Sequence, residues 1–280
     1  MAQNIYHDLE GWFSRYVSGF FTDNPDYNTV ISTKKDHTQR VCRETADLCS
    51  SLELPQGPSR IAATAALFHD LGRFKQYQKY RTFSDRVSEN HAMLSVREMA
   101  RNKILSPFHR DEKRLITFAV AHHNARQIPN GHDDRKLFYL KLLRDADKLD
   151  IWRLVSEYLL ESAHHPETKK REDITLHVST APGCSPSVIE TFRTQGSVHY
   201  KDLKSLDDYK LLSIGWVYDL NFKLSFEKVR KRRYIDKLAE TLPQSRKILS
   251  GVKLANDYVE TAIAAAGPGG YVPSTADLNR

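Results

Sequence analysis

An imidazole and a carboxylate stand side by side at the end of an apolar run in "LFHDLGRF", Leu67 to Phe74. The preceding "RIAATAALF" reads as a buried helix, so His69 and Asp70 fall where a core should be closing. Taken alone, the pair has an ordinary reading as a hydrogen-bonded helix end. Other residues converge on it at helical spacing. His37 heads the apolar face of Val41, Thr45, Leu48 and Leu52, and His69 lies one and two turns beyond Ala65 and Ala62. His122 follows Leu115 and Ala119 just as His123 follows Ile116 and Val120. Asp147 follows Leu140 and Leu143 and precedes Ile151 and Leu154. Such spacings stack side chains on one helix face. An ionised carboxylate in an apolar interior costs several kcal/mol unless it is compensated. A divalent cation compensates it most directly, and His with Asp is suitable ligand chemistry for zinc, manganese, iron and similar ions. Any one histidine is more often a satisfied core or surface residue. The chain has twelve, and His7, His109, His132, His164, His165, His177 and His199 need no special role. The ordered set on successive helices carries the reading.

The elements that must position these groups are helices. "MAQNIYHDLEGWFSRYVSGFF" has Ile5, Leu9, Trp12, Tyr16 and Phe20 at helical spacing, an amphipathic face for packing on the core, with a membrane surface as the lesser alternative. Further helices are expected over "HTQRVCRETADLCSSLEL", over "GPSRIAATAALFHD" with Pro58 and Ser59 at its entry, and over "SENHAMLSVREMARNKIL" with Ser88 as N-cap. "DEKRLITFAVAHHNARQIP" and the long "RKLFYLKLLRDADKLDIWRLVSEYLL" follow. After a polar stretch from His164 to Pro186 that contains a loop come "DDYKLLSIGWVYDLNFKLSFEKVRKRRYIDKLAETL", with a break near Asn221, and "SRKILSGVKLANDYVETAIAAA". "DITLHVST" is the best strand candidate, and the tail "GPGGYVPSTADLNR" reads as frayed.

A chain of 280 residues with 40% apolar content can bury a substantial core, and its 28% charged fraction argues against disorder. The net charge of +7 suits anionic partners such as phosphates or nucleotides. Cys42, Cys49 and Cys184 make no disulfide framework, which points to a reducing, cytoplasmic compartment; Cys42 and Cys49 read as core residues. No secretory signal and no spanning segment of ~18 apolar residues is visible, so no membrane partner is expected.

His37, then His69–Asp70, then Asp147 in "LLRDADKLD" resembles the H…HD…D signature of the HD-domain superfamily of metal-dependent phosphohydrolases, over roughly residues 30–155. Periodicity does not choose between Asp145 and Asp147; the family's "AD(K/R)L" context assigns Asp147. His91 in "SENHAMLS" and His122–His123 in "AVAHHNARQIP" resemble the larger sites of the HD-GYP cyclic-dinucleotide phosphodiesterases and of the diiron oxygenases related to myo-inositol oxygenase. The GYP tripeptide is absent, and Arg73 replaces the lysine that follows the HD pair in that branch, which counts against cyclic di-GMP as substrate.

The resemblance implies an all-α fold: an HD-domain helical bundle with an N-terminal helix over 1–155, a helical extension over 156–266 packing on it, and a flexible tail over 267–280. It implies a metal-dependent hydrolase acting on a small phosphorylated molecule, a nucleotide first, through a water that the metals acidify. His37, His69, Asp70 and Asp147 would hold the first divalent ion, and Asp70 would bridge to a second on His91 and His122, with His123 as a further ligand. The ion could be Mn, Fe, Ni, Co, Mg or Zn. Asp70, Arg73 and Lys148 would be catalytic, with Arg73 and Lys148 on the phosphate; an ion pair for Arg73 and a solvated lysine for Lys148 are the ordinary alternatives. The run "KVRKRR" lacks the interleaved aromatics of single-strand binders, so a solvated face is preferred to nucleic-acid contact. The aromatic and basic segment "RFKQYQKYRTF" could line a nucleotide pocket or pack as a loop. The rivals to hydrolysis are a diiron oxygenase with the same ligands and a nucleotide sensor without turnover. The sequence leaves the oligomeric state open.

Overall fold

The structure, a computed structural model, describes residues 2–164, 178–179, 181–267 and 269–272. Its regular elements are helices, and the described residues contain no strand, so the fold is all-α. The chain forms two compact units, Met1–Asp147 and Lys148–Arg280.

The first unit begins with α1 (Ala2–Ser18), which buries Leu9, Phe13 and Val17. Its Phe13 ring meets Phe68 and Phe74 edge-on at 6.4 and 5.9 Å, and Tyr16 donates its hydroxyl to Glu98 at 2.7 Å. The amphipathic face noted in the sequence therefore packs on protein. Helix α2 (Pro25–Ser51) starts twelve residues before His37. Asn24 caps it by accepting from the Tyr27 N–H, and Pro25 supplies a preset φ in the first turn. Tyr27 and Ile31 extend its buried face upstream of His37.

Helix α3 (Gln56–Phe68) is apolar nearly all round and largely buried, and α4 (Leu71–Tyr80) follows after only His69 and Asp70. The chain leaves α4 through Arg81, in the left-handed region at φ 55°, and reaches α5 (His91–Arg101) by the connection 82–90. The N-cap of α5 is Asn90, which accepts from the Met93 N–H at 3.0 Å. The Ser88 hydroxyl is used elsewhere, donating to the Ser84 carbonyl at 2.8 Å, so the expected cap moves by two residues. Helix α6 (Arg110–His122) and the long α7 (Asp134–His164) complete the elements around the site.

In the second unit the α7 residues from Leu149 onward join a core with α8 (Pro186–Arg193), α9 (Leu206–Gly215), α10 (Lys223–Arg232), α11 (Tyr234–Ala239) and α12 (Arg246–Ala265). The Trp152 indole N–H donates to the Ser213 carbonyl at 2.9 Å. The anticipated break near Asn221 is present, since Phe222 is extended and pairs with Tyr271, and a second break falls at Arg233, whose φ is 54°. Most of the strand candidate lies outside the described residues; of it, Ser179 makes an isolated bridge with Ser205. Most of the anticipated loop and tail also lies outside them. No helix among the described residues is long and apolar enough to cross a membrane, and the three cysteines are free, Cys49 buried and the other two half-buried.

One close approach ties the fold to the site. A Cβ at Gly72 would lie 2.6 Å from both the His91 carbonyl oxygen and the Ser95 nitrogen, so only glycine lets α4 press on the start of α5. The Gly72 N–H donates to Ser95 Oγ at 2.8 Å across this contact. Gly72→Ala should force the helices apart and cost about 1–3 kcal/mol, as overpacking does. Urea unfolding checks this; an unchanged midpoint would mean that the helices are not in fixed contact.

Candidate metal centre

Helices α2, α3, α5, α6 and α7 deliver their polar groups to one point. His37 comes from the inward face of α2, His69 and Asp70 from the joint between α3 and α4, and His91 from the first residue of α5. His123 stands at the C-cap of α6 and Asp147 in the middle of α7. His37, His69, Asp70, His91 and His123 are buried and Asp147 is partly so.

Asp70 is the centre of the arrangement. Its Oδ2 lies 3.6 Å from His37 Nε2 and 3.7 Å from His69 Nε2. Its Oδ1 lies 3.5 Å from His91 Nε2 and 3.8 Å from His123 Nε2. Asp147 Oδ1 closes the first side, 3.2 Å from His37 Nε2 and 3.7 Å from His69 Nε2. Three overlapping groups could therefore hold a metal: His37–His69–Asp70, His69–His123–Asp147 and Asp70–His91–His123.

Three of the rings have their tautomer dictated. His69 Nδ1 is 2.7 Å from the Ala66 carbonyl and His123 Nδ1 is 2.8 Å from the Val120 carbonyl. A carbonyl only accepts, so both Nδ1 atoms carry the proton and both Nε2 atoms present a lone pair. Each ring thereby also occupies a carbonyl in the last turn of its helix, where no intrahelical N–H remains to serve it. His91 Nδ1 faces Asp85 Oδ2 at 2.6 Å, which likewise turns its Nε2 toward Asp70. His69 Nε2 is buried with no hydrogen-bond partner, and His91 Nε2 and His123 Nε2 approach to 3.1 Å. Two lone pairs at that separation need a cation or a proton between or beside them. This donor set fits divalent metal.

The charge state fits as well. Burial pushes His69 down to about 4 against the opposing pull of Asp70 and Asp147, so its ring is neutral at pH 7. Burial, with the Arg73 charge, takes His91 to about 4 although Asp85 opposes. Burial alone would raise the Asp70 carboxyl, but the Lys34 and Arg73 charges outweigh it and hold the group well below its usual range. Burial of Asp147 is similarly overcome, chiefly by its hydrogen bond to His37. Neutral imidazoles and ionised carboxylates are the forms that bind metal.

The structure does not bring every expected residue here. His122 is half-buried outside the cluster, its ring 4.6 Å from Phe118 and 6.3 Å from His132, because one residue turns the α6 side chain by about 100°. Of the "HH" pair, only His123 reaches Asp70. Asp145 is buried and belongs to none of the three groups, whereas Asp147 does. Arg73 is directed at carboxylates: its Nε is 3.4 Å from Asp70 Oδ1, and its Nη1 meets Asp85 Oδ1 at 3.2 Å, Gln76 Oε1 at 2.9 Å and the Phe83 carbonyl at 2.5 Å. Lys148 is buried and pairs with Asp219 Oδ2 at 2.7 Å. Sequence reasoning missed Lys34, whose Nζ is 3.3 Å from Asp70 Oδ2. Lys34 sits one turn before His37, so extending α2 back to Asn24–Pro25 would have found it. It also missed Asp85, which lies on no periodic element.

An all-helical domain with a buried His/Asp cluster of this kind has the residues to hold a divalent metal. Residues 35–152, which include His37, His69, Asp70, His91, His123 and Asp147, match the family model of the HD domain. The match covers less than half of the chain and supports an HD domain over those residues; HD domains are generally metal-dependent hydrolases. No curated protein and no solved structure matches the chain.

The depressed imidazoles set a pH dependence. An unfolded chain takes up protons at His69 and His91 near their ordinary value of 6.5, while the folded chain resists until about 4. The unfolded state then binds more protons across that interval, so the metal-free protein should lose stability as pH falls from about 6.5 to about 4. The carboxylates, held below their ordinary value of 3.8, add their own loss only at lower pH. Urea midpoints measured in chelator against pH check this; a flat profile between pH 6.5 and 4 would contradict the buried neutral rings.

Proposed function

We propose that the chain is a phosphohydrolase with a dinuclear divalent-metal site, acting on a small phosphorylated molecule, a nucleotide first. The observation that carries this reading is the division of labour at Asp70, whose two oxygens face two different pairs of imidazole nitrogens. On this reading His37, His69, Asp147 and Asp70 would hold one ion, and Asp70, His91 and His123 would hold the other. Divalent ions bound there would acidify a water and polarise a phosphoryl oxygen, so that water displaces the leaving oxygen from phosphorus.

The chain's own residues prepare that chemistry. The two carboxylates supply negative charge in a buried setting where it cannot be replaced by solvent. The Nδ1–H bonds of His69 and His123 hold their rings in the donor orientation before any ligand arrives. Lys34 stands beside Asp70 Oδ2 with 16% of its side chain exposed, its ammonium 5.1 Å from the Phe83 ring centre. We assign to it the contact with a phosphoryl oxygen expected from the sequence at Arg73 and Lys148, since its side chain is the most exposed of the three, against 13% for Arg73 and 9% for Lys148.

Protein loaded with Mn, Mg, Co, Ni or Fe should release phosphate from members of a phosphomonoester and phosphodiester panel, and chelation should stop it. Asp70→Asn keeps the shape and removes the charge. It should fold, lose most of its metal and lose activity by more than the ~100-fold typical of removing a residue that merely supports a ligand. Turnover and metal content at wild-type levels in Asp70→Asn would overturn the assignment. Oxygen consumption by the iron-loaded protein without phosphate release would replace hydrolysis by oxygenase chemistry.

A further inference from the structure

Asp85 belongs to no helix and is offered to the site by the connection between α4 and α5, yet its carboxylate is held at both ends. Oδ2 accepts from His91 Nδ1 at 2.6 Å and from Asn124 Nδ2 at 3.2 Å. Oδ1 accepts from Gln76 Nε2 at 2.8 Å and from Arg73 Nη1 at 3.2 Å. Gln76 is fully buried, and its Nε2 also lies 2.8 Å from Ser88 Oγ and 2.9 Å from the Glu89 carbonyl. Arg73 Nη1 reaches the Phe83 carbonyl as well. Two side chains of α4 thus hold the segment 83–89 from both flanks of Asp85.

His91 needs this help where the other rings do not. His69 and His123 follow their helices and find a carbonyl three residues back, in the last turn. His91 opens α5, and a helix start offers N–H groups in place of carbonyls. Its Nδ1–H must be received by something brought from outside the helix. We infer that Asp85 is a positioning residue that fixes the tautomer and aim of His91, and so creates the second of the two metal positions. This rests on the dinuclear reading above for its metal consequence, and on hydrogen bonding alone for the tautomer. A carboxylate behind a ligand ring also makes the ring nitrogen a better donor to metal. Arg73, which meets both Asp70 and Asp85, couples the bridging carboxylate to this support.

The full chain is tested as wild type, Asp85→Ala and Asp85→Asn. Long-range proton–nitrogen NMR of the metal-free protein reads the ring tautomers, with the His91 signals identified by their absence in His91→Asn. The wild type should show the proton of His91 on Nδ1. Asp85→Ala should lose that preference, and Asp85→Asn, which keeps an acceptor oxygen, should restore it. Calorimetric titration with Mn²⁺ should show two sites in the wild type. In Asp85→Ala the second should weaken ~10–100-fold with the first unchanged, and Asp85→Asn should recover most of the difference. An unchanged His91 tautomer in Asp85→Ala overturns the inference, as does equal weakening of both sites, which marks general structural damage. A wild type that binds one ion removes the dinuclear reading and the second metal position with it, while the tautomer result still decides whether Asp85 sets His91.

Discussion

The buried charge of Asp70 is the constraint around which the HD domain is arranged. The residue is 4% exposed and ionised. A buried carboxylate left uncompensated costs several kcal/mol, and removing one partner of such a charge is more damaging than never having built the pair. The domain answers with cations and dipoles from every side: Lys34 at one oxygen, Arg73 at the other, and four imidazole nitrogens divided between them. The packing follows from this need. Gly72 is required because α5 must come close enough to α4 for His91 to reach Asp70 Oδ1.

The placement of His69 and His123 explains why an imidazole follows the apolar run in "LFHDLGRF". A helix end buried in a core leaves carbonyls without partners. A histidine just after the last apolar turn returns its Nδ1–H to the carbonyl three residues back, while its Nε2 points onward. One residue thus satisfies the helix end and presents a metal-ready lone pair. The same geometry explains why His122 stays out of the cluster, since it is still inside α6 and on another face. At the start of α5 the device is impossible, and the chain substitutes Asp85 carried by a tethered connection.

What was legible in the sequence followed helical periodicity. His37, His69 and Asp147 sit at i±3, i±4 and i±7 from buried apolar residues, so their inward direction could be read from spacing. Asp70 came with His69, and His91 came from the family resemblance. Periodicity could not separate His122 from His123, because each continues an apolar series; the hydrogen bond to Val120 separates them. Lys34 was hidden by starting α2 at His37, although Asn24–Pro25 carries a good start signal. Asp85 had no signal at all, since a loop residue's position depends on the side chains that hold it, here Gln76 and Arg73. The sequence leaves Arg73 open between phosphate and an ion pair, and Lys148 between phosphate and solvent, because spacing does not show which charged partner a side chain meets; in the fold both meet carboxylates.

The proposed role of Asp70 is to join two metal positions, one with each oxygen. Anomalous diffraction from crystals of the full chain grown in saturating Mn²⁺ tests it most directly. Two manganese peaks are expected to flank the Asp70 carboxylate, one against His37, His69 and Asp147 and the other against His91 and His123. A single peak, or two peaks that do not share Asp70, would contradict it.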